Sequence, residues 1–376
     1  MHTFVAVHGG AGFHSSSSEK EIKKALRLAC KKALDSSLSG SSLDVVETAI
    51  TVLEDDPNFN AGFSSNLTLD GSVECDAAIM NGRNHFGSVG AISGAKNPIR
   101  VARAILDYSQ KPDPLGRVPP LTLVSSGARQ FASQNLRSNS GIVDSDSMIS
   151  KKAQEQWQYW RDKLLSSEAE NVGSAQMNEG NSLYDSQDTV GAVVSCSGDM
   201  TAGRVFVAVV VCCSKFRADA ERCGSSTLCF QSSSSTTIRS KAAMFGAGCW
   251  AQNSCSGQMG MACSISGTGE FITRSGLART LAKAFQTSVV TGDLEIDPHA
   301  IMEKIIIDEF WKMSQGLGEP SPSAGILLMT HDDGDENEVV ARVWCAFTTP
   351  SMAIAYASSK DPNPKAESHS STTEST

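Results

Sequence analysis

Residues 166–187 limit how this chain can fold more than any other stretch. Ser, Glu, Asn, Gly and Gln dominate there and no hydrophobic period survives. The stretch stops abruptly at a β-rich run, Thr189-Val190-Gly191-Ala192-Val193-Val194. A flexible surface linker therefore separates two parts, and each part carries both helical and strand patterns. Ahead of the linker, residues 3–8 read as a strand that breaks at Gly9-Gly10-Ala11-Gly12. Helical spacing follows over 19–38, through Ile22, Leu26, Ala29 and Ala33, and over 43–54 with Ser41 or Ser42 as cap. Residues 58–80 are polar and glycine-studded before turning apolar at 77–80. Short strands are expected near 89–93 and 121–125, with helices near 98–108, 127–135 and 150–165.

Beyond the linker, Ser197-Gly198-Asp199 predicts a hairpin turn after the strand at 189–194. Helices are expected near 275–287 and 298–315, the second with Asp297 as cap and Pro298 at its first position. Strands near 324–330, 338–347 and 352–357 close the pattern, and the Ser/Thr/Pro-rich tail over 359–376 is expected to be disordered. Strands and helices do not alternate strictly. That favours an α+β arrangement of packed antiparallel sheets with helices outside over a doubly wound sheet.

Charge and composition remove several function classes. Lys and Arg number 32 against 41 Asp and Glu, a net charge of −9. An acidic chain without basic blocks is a poor partner for nucleic acid or for an acidic membrane surface. No apolar run reaches the roughly 18 residues that span a bilayer. The eleven cysteines are odd in number and scattered, with neither CxxC nor zinc-finger spacing. Buried thiols in a reducing compartment, cytoplasmic or nuclear, are the expectation, and the first seven residues do not read as a secretory signal. The sequon Asn66-Leu67-Thr68 is then a chance match. There is no GxxxxGK[ST], GxSxG or HExxH, and the seven histidines make no metal pattern. Only His8, beside the glycine turn, stands in a suggestive place, and a structural role suits it better than a catalytic one.

Asp188-Thr189 is the sharpest chemical feature. A cut ahead of Thr189 would expose an N-terminal threonine, which joins nucleophile and base in one residue. The hydroxyl attacks, and the α-amine, with a pKa of about 8, takes the proton. Taken alone, a threonine opening a strand is usually only a β-branched strand residue.

Further segments occur in one order with it. They are Val7-His8-Gly9-Gly10-Ala11-Gly12, the long block from Asn60-Ala61-Gly62 through Asn66-Leu67-Thr68-Leu69-Asp70-Gly71 to Asp76-Ala77-Ala78, Gly90-Ala91-Ile92 before Asn97-Pro98, Gly246-Ala247-Gly248, and Ser266-Gly267-Thr268-Gly269-Glu270. With these residues the chain resembles the asparaginase-type N-terminal nucleophile hydrolases (peptidase family T2) over roughly 4–358. Details resemble the threonine aspartase (taspase) branch, which cleaves proteins after aspartate. Asp188 stands where amide-cleaving relatives have Gly. Ala242 stands where relatives acting on free asparagine or isoaspartyl peptides carry an acidic residue. Ser266 replaces their usual Thr.

The resemblance implies one domain over 1–358, a four-layer αββα sandwich cut between Asp188 and Thr189 into an α part (1–188) and a β part (189–376). The two parts stay associated around one core. It implies Thr189 as nucleophile, Ser266 and the Gly267 N–H as the oxyanion hole, and Arg239 holding the carboxylate of a substrate aspartate. Asn66, Thr68 and Gly269 line the substrate site. Partners are protein substrates with Asp at the cleavage site and, as candidate assembly, a homodimer. No cofactor is implied beyond a structural sodium ion on backbone carbonyls of the loop around 58–66.

The chain departs from the family after Ala202-Gly203-Arg204-Val205, where no Gly-Gly follows. Residues 205–231 are an atypical insert with four cysteines, expected to be foreign to a working enzyme and consistent with a translated intron. Two other readings stand beside the endopeptidase: an L-asparaginase or β-aspartyl peptidase, and a catalytically impaired member of the fold kept for binding.

Overall fold

The computed structural model describes residues 2–15, 17–136, 141–169, 189–207, 243–255, 259–290, 297–333 and 339–370. Its first half runs β1 (Thr3–Gly12), α1 (Glu19–Ser36), α2 (Ser42–Glu54), β2 (Cys75–Asn81), β3 (Phe86–Ile92), α3 (Pro98–Ser109), β4 (Thr122–Val124), α4 (Ser125–Asn135) and α5 (Lys151–Ala169). The second half runs β5 (Thr189–Cys196), β6 (Asp199–Val207), β7 (Cys249–Gln252), β8 (Gly260–Gly267), α6 (Gly269–Ser275), α7 (Leu277–Val290) and α8 (Pro298–Lys304). Then come β9 (Ala324–Asp333), β10 (Val339–Phe347), β11 (Ser351–Ser358) and β12 (Lys365–Ser370). A π-helical stretch, Ile305–Trp311, carries α8 on into a last helical turn, Lys312–Gly316.

Local chemistry accounts for many of the boundaries. The Ser41 hydroxyl accepts the Asp44 N–H while the Asp44 carboxylate accepts the Ser41 N–H at 2.7 Å, a capping box that opens α2. Proline occupies the first turn of α3 and of α8, where its missing N–H is harmless. Ser197 and Gly198, with φ of 48° and 87°, both take left-handed backbone between β5 and β6. That is the turn whose twist suits a two-residue hairpin.

The strands make two sheets. The larger has the order β12-β11-β1-β5-β6-β2-β3-β4 and the smaller β10-β9-β8-β7. Every pairing is antiparallel except β3 with β4. Alternation along the strands feeds three cores. Val190, Ala192 and Val194 of β5 point outward to α1, α2 and α3, among Leu26, Val46, Ile50 and Ile99. Val193 points the other way, into a core between the sheets with Ala6, Met200, Ala262, Leu327 and Met352. The far face of the small sheet packs Cys263, Ile265, Ile326 and Leu328 on Ile272, Leu281, Phe285 and Phe310. Helices, sheet, sheet and helices therefore stack in four layers, an αββα sandwich.

Three expectations need correction. The tail is not disordered throughout: Lys365–Ser370 forms β12, antiparallel on β11 with Ala355 opposite Ala366. An open β11 edge offers unpaired backbone groups, and Ala366 packs on the core beneath α1 while Lys365 and Glu367 alternate with it. The linker starts later than expected, because α5 runs to Ala169; residues 170–187 lie outside the described residues. The first three residues of the insert, 205–207, are ordinary strand, with Val205 opposite Val190 and Val207 opposite Cys75. Residues 208–231 lie outside the described residues.

Candidate active site

Thr189 opens β5 in the middle of the large sheet, between β1 and β6. The two-residue period places Thr189, Gly191, Val193 and Ser195 on the face turned to the small sheet. Thr189 is 1% exposed, and its Oγ1 has no hydrogen-bond partner among the described residues. A buried hydroxyl left unpaired is uncommon, and a chemical role is one of the few reasons for one.

Polar bonds tie the sheets together beside it. Ser266 Oγ on β8 accepts the Ala11 N–H of β1 at 2.9 Å. His8 Nε2 lies 2.8 Å from Ser264 Oγ, and that hydroxyl donates to the Gly203 carbonyl at 3.2 Å. Ser195 of β5 meets His331 Nδ1 of β9 at 3.2 Å. The register then locates the ends of the strands. His8 pairs with Gly191. A Cβ on Gly191 would fall 2.0 Å from Ser264 Oγ. Strands β1 and β5 are antiparallel, so Ala11 lies toward the Thr189 end. Ser266, bonded to Ala11, is brought to that same end.

Gly267 follows Ser266 with φ of 124°, and a Cβ there would stand 2.1 Å from the Ser323 carbonyl oxygen, so only glycine fits. Gly269 is buried at the start of α6, two residues on. Three of the candidate residues thus stand on one strand-to-helix turn, at the Thr189 end of the sandwich.

Buried charge in this layer comes from Arg204 and from Asp76, whose carboxylate accepts the Ala91 N–H at 2.7 Å. Arg204 on β6 is fully buried, in register with Gly191 and Ala78. Its guanidinium carbon stands 5.5 Å from the centre of the Phe206 ring, and Phe206 is the partner of Thr189. Gly248 makes room for it: a Cβ there would lie 2.0 Å from the Arg204 Nη1. Burial, then the Arg204 charge, lower the His8 pKa to about 3, while the Thr189 backbone pulls weakly the other way. Burial pushes the Cys249 thiol up to about 12, against the Arg204 charge. His8 is therefore neutral and Cys249 a thiol at neutral pH.

The remaining predicted residues are placed differently. Thr68 lies in a turn where its Oγ1 donates to Asp70 Oδ1 at 2.5 Å and accepts the Ser72 N–H at 3.1 Å, beneath the Trp157 indole, which donates to the Thr68 carbonyl at 2.9 Å. The Asn66 N–H donates to Asn60 Oδ1 at 2.8 Å. These bonds stay within the loop or reach α5. The loop itself runs into β2, whose Asp76 shares Phe206 as cross-strand partner with Thr189. It therefore arrives at the Thr189 end, two strands away. Arg239 and Asp188 lie outside the described residues.

The loop around 58–66 is the expected place of a sodium ion. Gly62 and Ser64 take left-handed backbone there, with φ of 59° and 69°, while the Glu54 and Gly62 carbonyls accept the Phe63 N–H at 2.9 Å and the Ser65 hydroxyl at 2.8 Å. Glu54 Oε1 accepts the Ile99 N–H at 3.0 Å, and Oε2 has no partner among the described residues.

Two residues escaped sequence reasoning as members of the site. Ser264 was signalled only by its two-residue spacing from Ser266 on an apolar strand. Arg204 was legible as a Gly-Arg-Val motif, but its burial between the sheets was not.

The asparaginase family profile matches residues 1–204. A plant-type L-asparaginase of Pyrococcus abyssi is 37% identical over 206 residues, 53% of this chain and 61% of that protein. Another, of Thermococcus kodakarensis, is 37% identical over 205 residues, with the same shares of 53% and 61%. An isoaspartyl peptidase/L-asparaginase of Bos taurus is 41% identical over 138 residues, 36% of this chain and 42% of that protein. The chain thus spans at most 61% of the length of these relatives. With more than half of its residues under the family profile, and with the four-layer sandwich around them, the chain belongs to the asparaginase family of N-terminal nucleophile hydrolases.

Proposed function

We propose that this chain is a threonine amidohydrolase that cuts itself ahead of Thr189 and then hydrolyses side-chain amide or β-aspartyl bonds of asparagine and aspartate derivatives. One observation carries this reading. The buried, unpartnered Thr189 hydroxyl opens β5 at the end of the sandwich where β8 delivers Ser266 and Gly267. In the uncut chain the Thr189 Oγ attacks the Asp188 carbonyl carbon. Its proton passes to the departing Thr189 nitrogen, and the acyl group moves from nitrogen to oxygen. Water then opens the ester, releasing the Asp188 carboxyl group and a free Thr189 amine. In turnover that amine takes the hydroxyl proton as Oγ attacks the substrate carbonyl, and returns it to the departing amine; water then cleaves the acyl ester, releasing the acid and restoring the Thr189 hydroxyl. The Ser266 oxygen already accepts the Ala11 N–H, so its own proton remains to meet the developing oxyanion beside the Gly267 N–H. Such donors are worth about 3–4 kcal/mol each. The substrate carboxylate calls for a cation. Arg204 is a buried cation on the nucleophile's face, and Arg239 is the family-pattern candidate. A sodium ion on backbone carbonyls of the loop around 58–66 would hold that loop's shape.

A second reading, an endopeptidase that cleaves proteins after aspartate, is favoured by Asp188, Ala242 and Ser266. A denaturing gel of the purified chain tests the common core: two bands of about 20 kDa each are expected, against one of about 40 kDa for an inert chain. Ammonia release from L-asparagine, set against cleavage of an Asp-Gly peptide, then separates the two enzymes. A folded chain that stays whole rejects both.

A further inference from the structure

His8 is a buried titratable group that this chemistry leaves unused. It is fully buried on β1. Its Nε2 lies 2.8 Å from Ser264 Oγ, and that hydroxyl also lies 3.2 Å from the Gly203 carbonyl, so ring and hydroxyl share one buried bond between the sheets. Ser264 and Ser266 stand two residues apart on the same face of β8, and each is bonded to β1, through His8 and through Ala11. Two struts thus hang β8, with its oxyanion turn, from the strand beside the nucleophile. Gly191 completes the path: a side chain there would fall 2.5 Å from His8 Nε2 and 2.0 Å from Ser264 Oγ, so β5 can reach this bond only as glycine, two residues from Thr189.

We infer that His8 and Ser264 form a positioning pair that sets how the Thr189 hydroxyl stands relative to the Ser266 and Gly267 donors. The inference rests on the threonine-hydrolase reading. The pair moves no proton to or from substrate. It fixes the spacing of two facing strands, and a displacement of about 1 Å between reacting groups can cost on the order of a hundredfold in rate.

The test is the first-order rate of self-cleavage per folded molecule, with folding followed by circular dichroism. Ser264→Ala and His8→Gln are each expected to slow cleavage about 10- to 100-fold, with Ser264→Cys in between. The double variant should be no slower than the worse single one, because both break one path. On L-asparagine, kcat should fall while KM stays within about twofold. A purely structural pair would lower the melting temperature and leave the rate per folded molecule unchanged, which overturns the inference. So do additive effects of the two substitutions. An unmodified chain that folds and stays whole overturns the hydrolase reading and the pair with it; a chain that matures as fast with Ser264→Ala overturns the pair alone. Should the variants fail to fold, nitrogen NMR of the uncut Thr189→Ala chain decides. It is expected to show His8 neutral and held in one tautomer, and a ring exchanging between its two tautomers overturns the pair.

Discussion

Gly191 shows how tightly single residues constrain this molecule. It sits where two polar side chains cross between the sheets, so Gly191→Ala must push the Ser264 hydroxyl and the His8 ring apart. Overpacking of that kind destabilises by about 1–3 kcal/mol. Urea unfolding should show the loss, and slower maturation should accompany it. Thr189→Ala should abolish maturation, since no nucleophile remains, while Thr189→Ser should retain part of it; two bands from the alanine variant on a denaturing gel would remove Thr189 from the site. Protons add a third expectation. His8 holds a pKa of about 3 when folded, against 6.5 ordinarily. Below pH 6.5 the unfolded chain takes up a proton that the folded chain refuses. Stability should therefore fall by about 1.4 kcal/mol per pH unit on acidification, down to the folded value. Glu54 acts on the other side. Burial raises its pKa, against the Ile99 N–H. As pH rises above the ordinary carboxylate range, the unfolded chain ionises first and stability declines toward the raised folded value. Glu54→Gln should flatten that limb in melts recorded from pH 4 to pH 8, and an unchanged limb would count against it.

Among the elements, those with a local cause were legible and those with a tertiary cause were not. A serine cap at 41 or 42 announces α2, and the structure places it at Ser41 in a capping box with Asp44; Ser41→Ala should cost about 1 kcal/mol, measurable by urea denaturation. The hairpin at Ser197-Gly198 was equally legible, because its left-handed turn needs residues of that kind. Strand β12 was hidden, because its reason is the open edge of β11, and a Ser/Thr/Pro-rich composition says nothing of an edge. The π-helical stretch Ile305–Trp311 was hidden too, since its apolar spacing through Ile305, Ile306 and Phe310 reads as ordinary helix. The site divides in the same way. Thr189 by its place alone reads as a strand residue, and only the ordered set of family segments around it makes it a candidate. The meeting of His8 with Ser264, and the burial of Arg204, depend on how two sheets lie face to face, which no single stretch of sequence encodes.

The strand order of the whole molecule decides what a cut before Thr189 would do. Strands β1, β2, β3 and β4 precede the cut, and β5, β6, β11 and β12 follow it. In the large sheet they interleave: β12 and β11, then β1, then β5 and β6, then β2, β3 and β4. Three complete strand pairings cross between the two products, namely β11 with β1, β1 with β5, and β6 with β2. Both products also contribute to the core between the sheets, through Ala6, Ala78 and Met80 on one side and Val193, Met200, Leu327 and Met352 on the other. Pulling the products apart would expose that core and break three ladders at once. Cutting the chain directly ahead of Thr189 breaks none of these pairings. The matured protein should therefore elute from size exclusion at the position of the uncut Thr189→Ala chain and unfold in one cooperative transition, although a denaturing gel resolves two bands. Two separate native peaks after maturation would show that the interleaved sheet does not hold the products together.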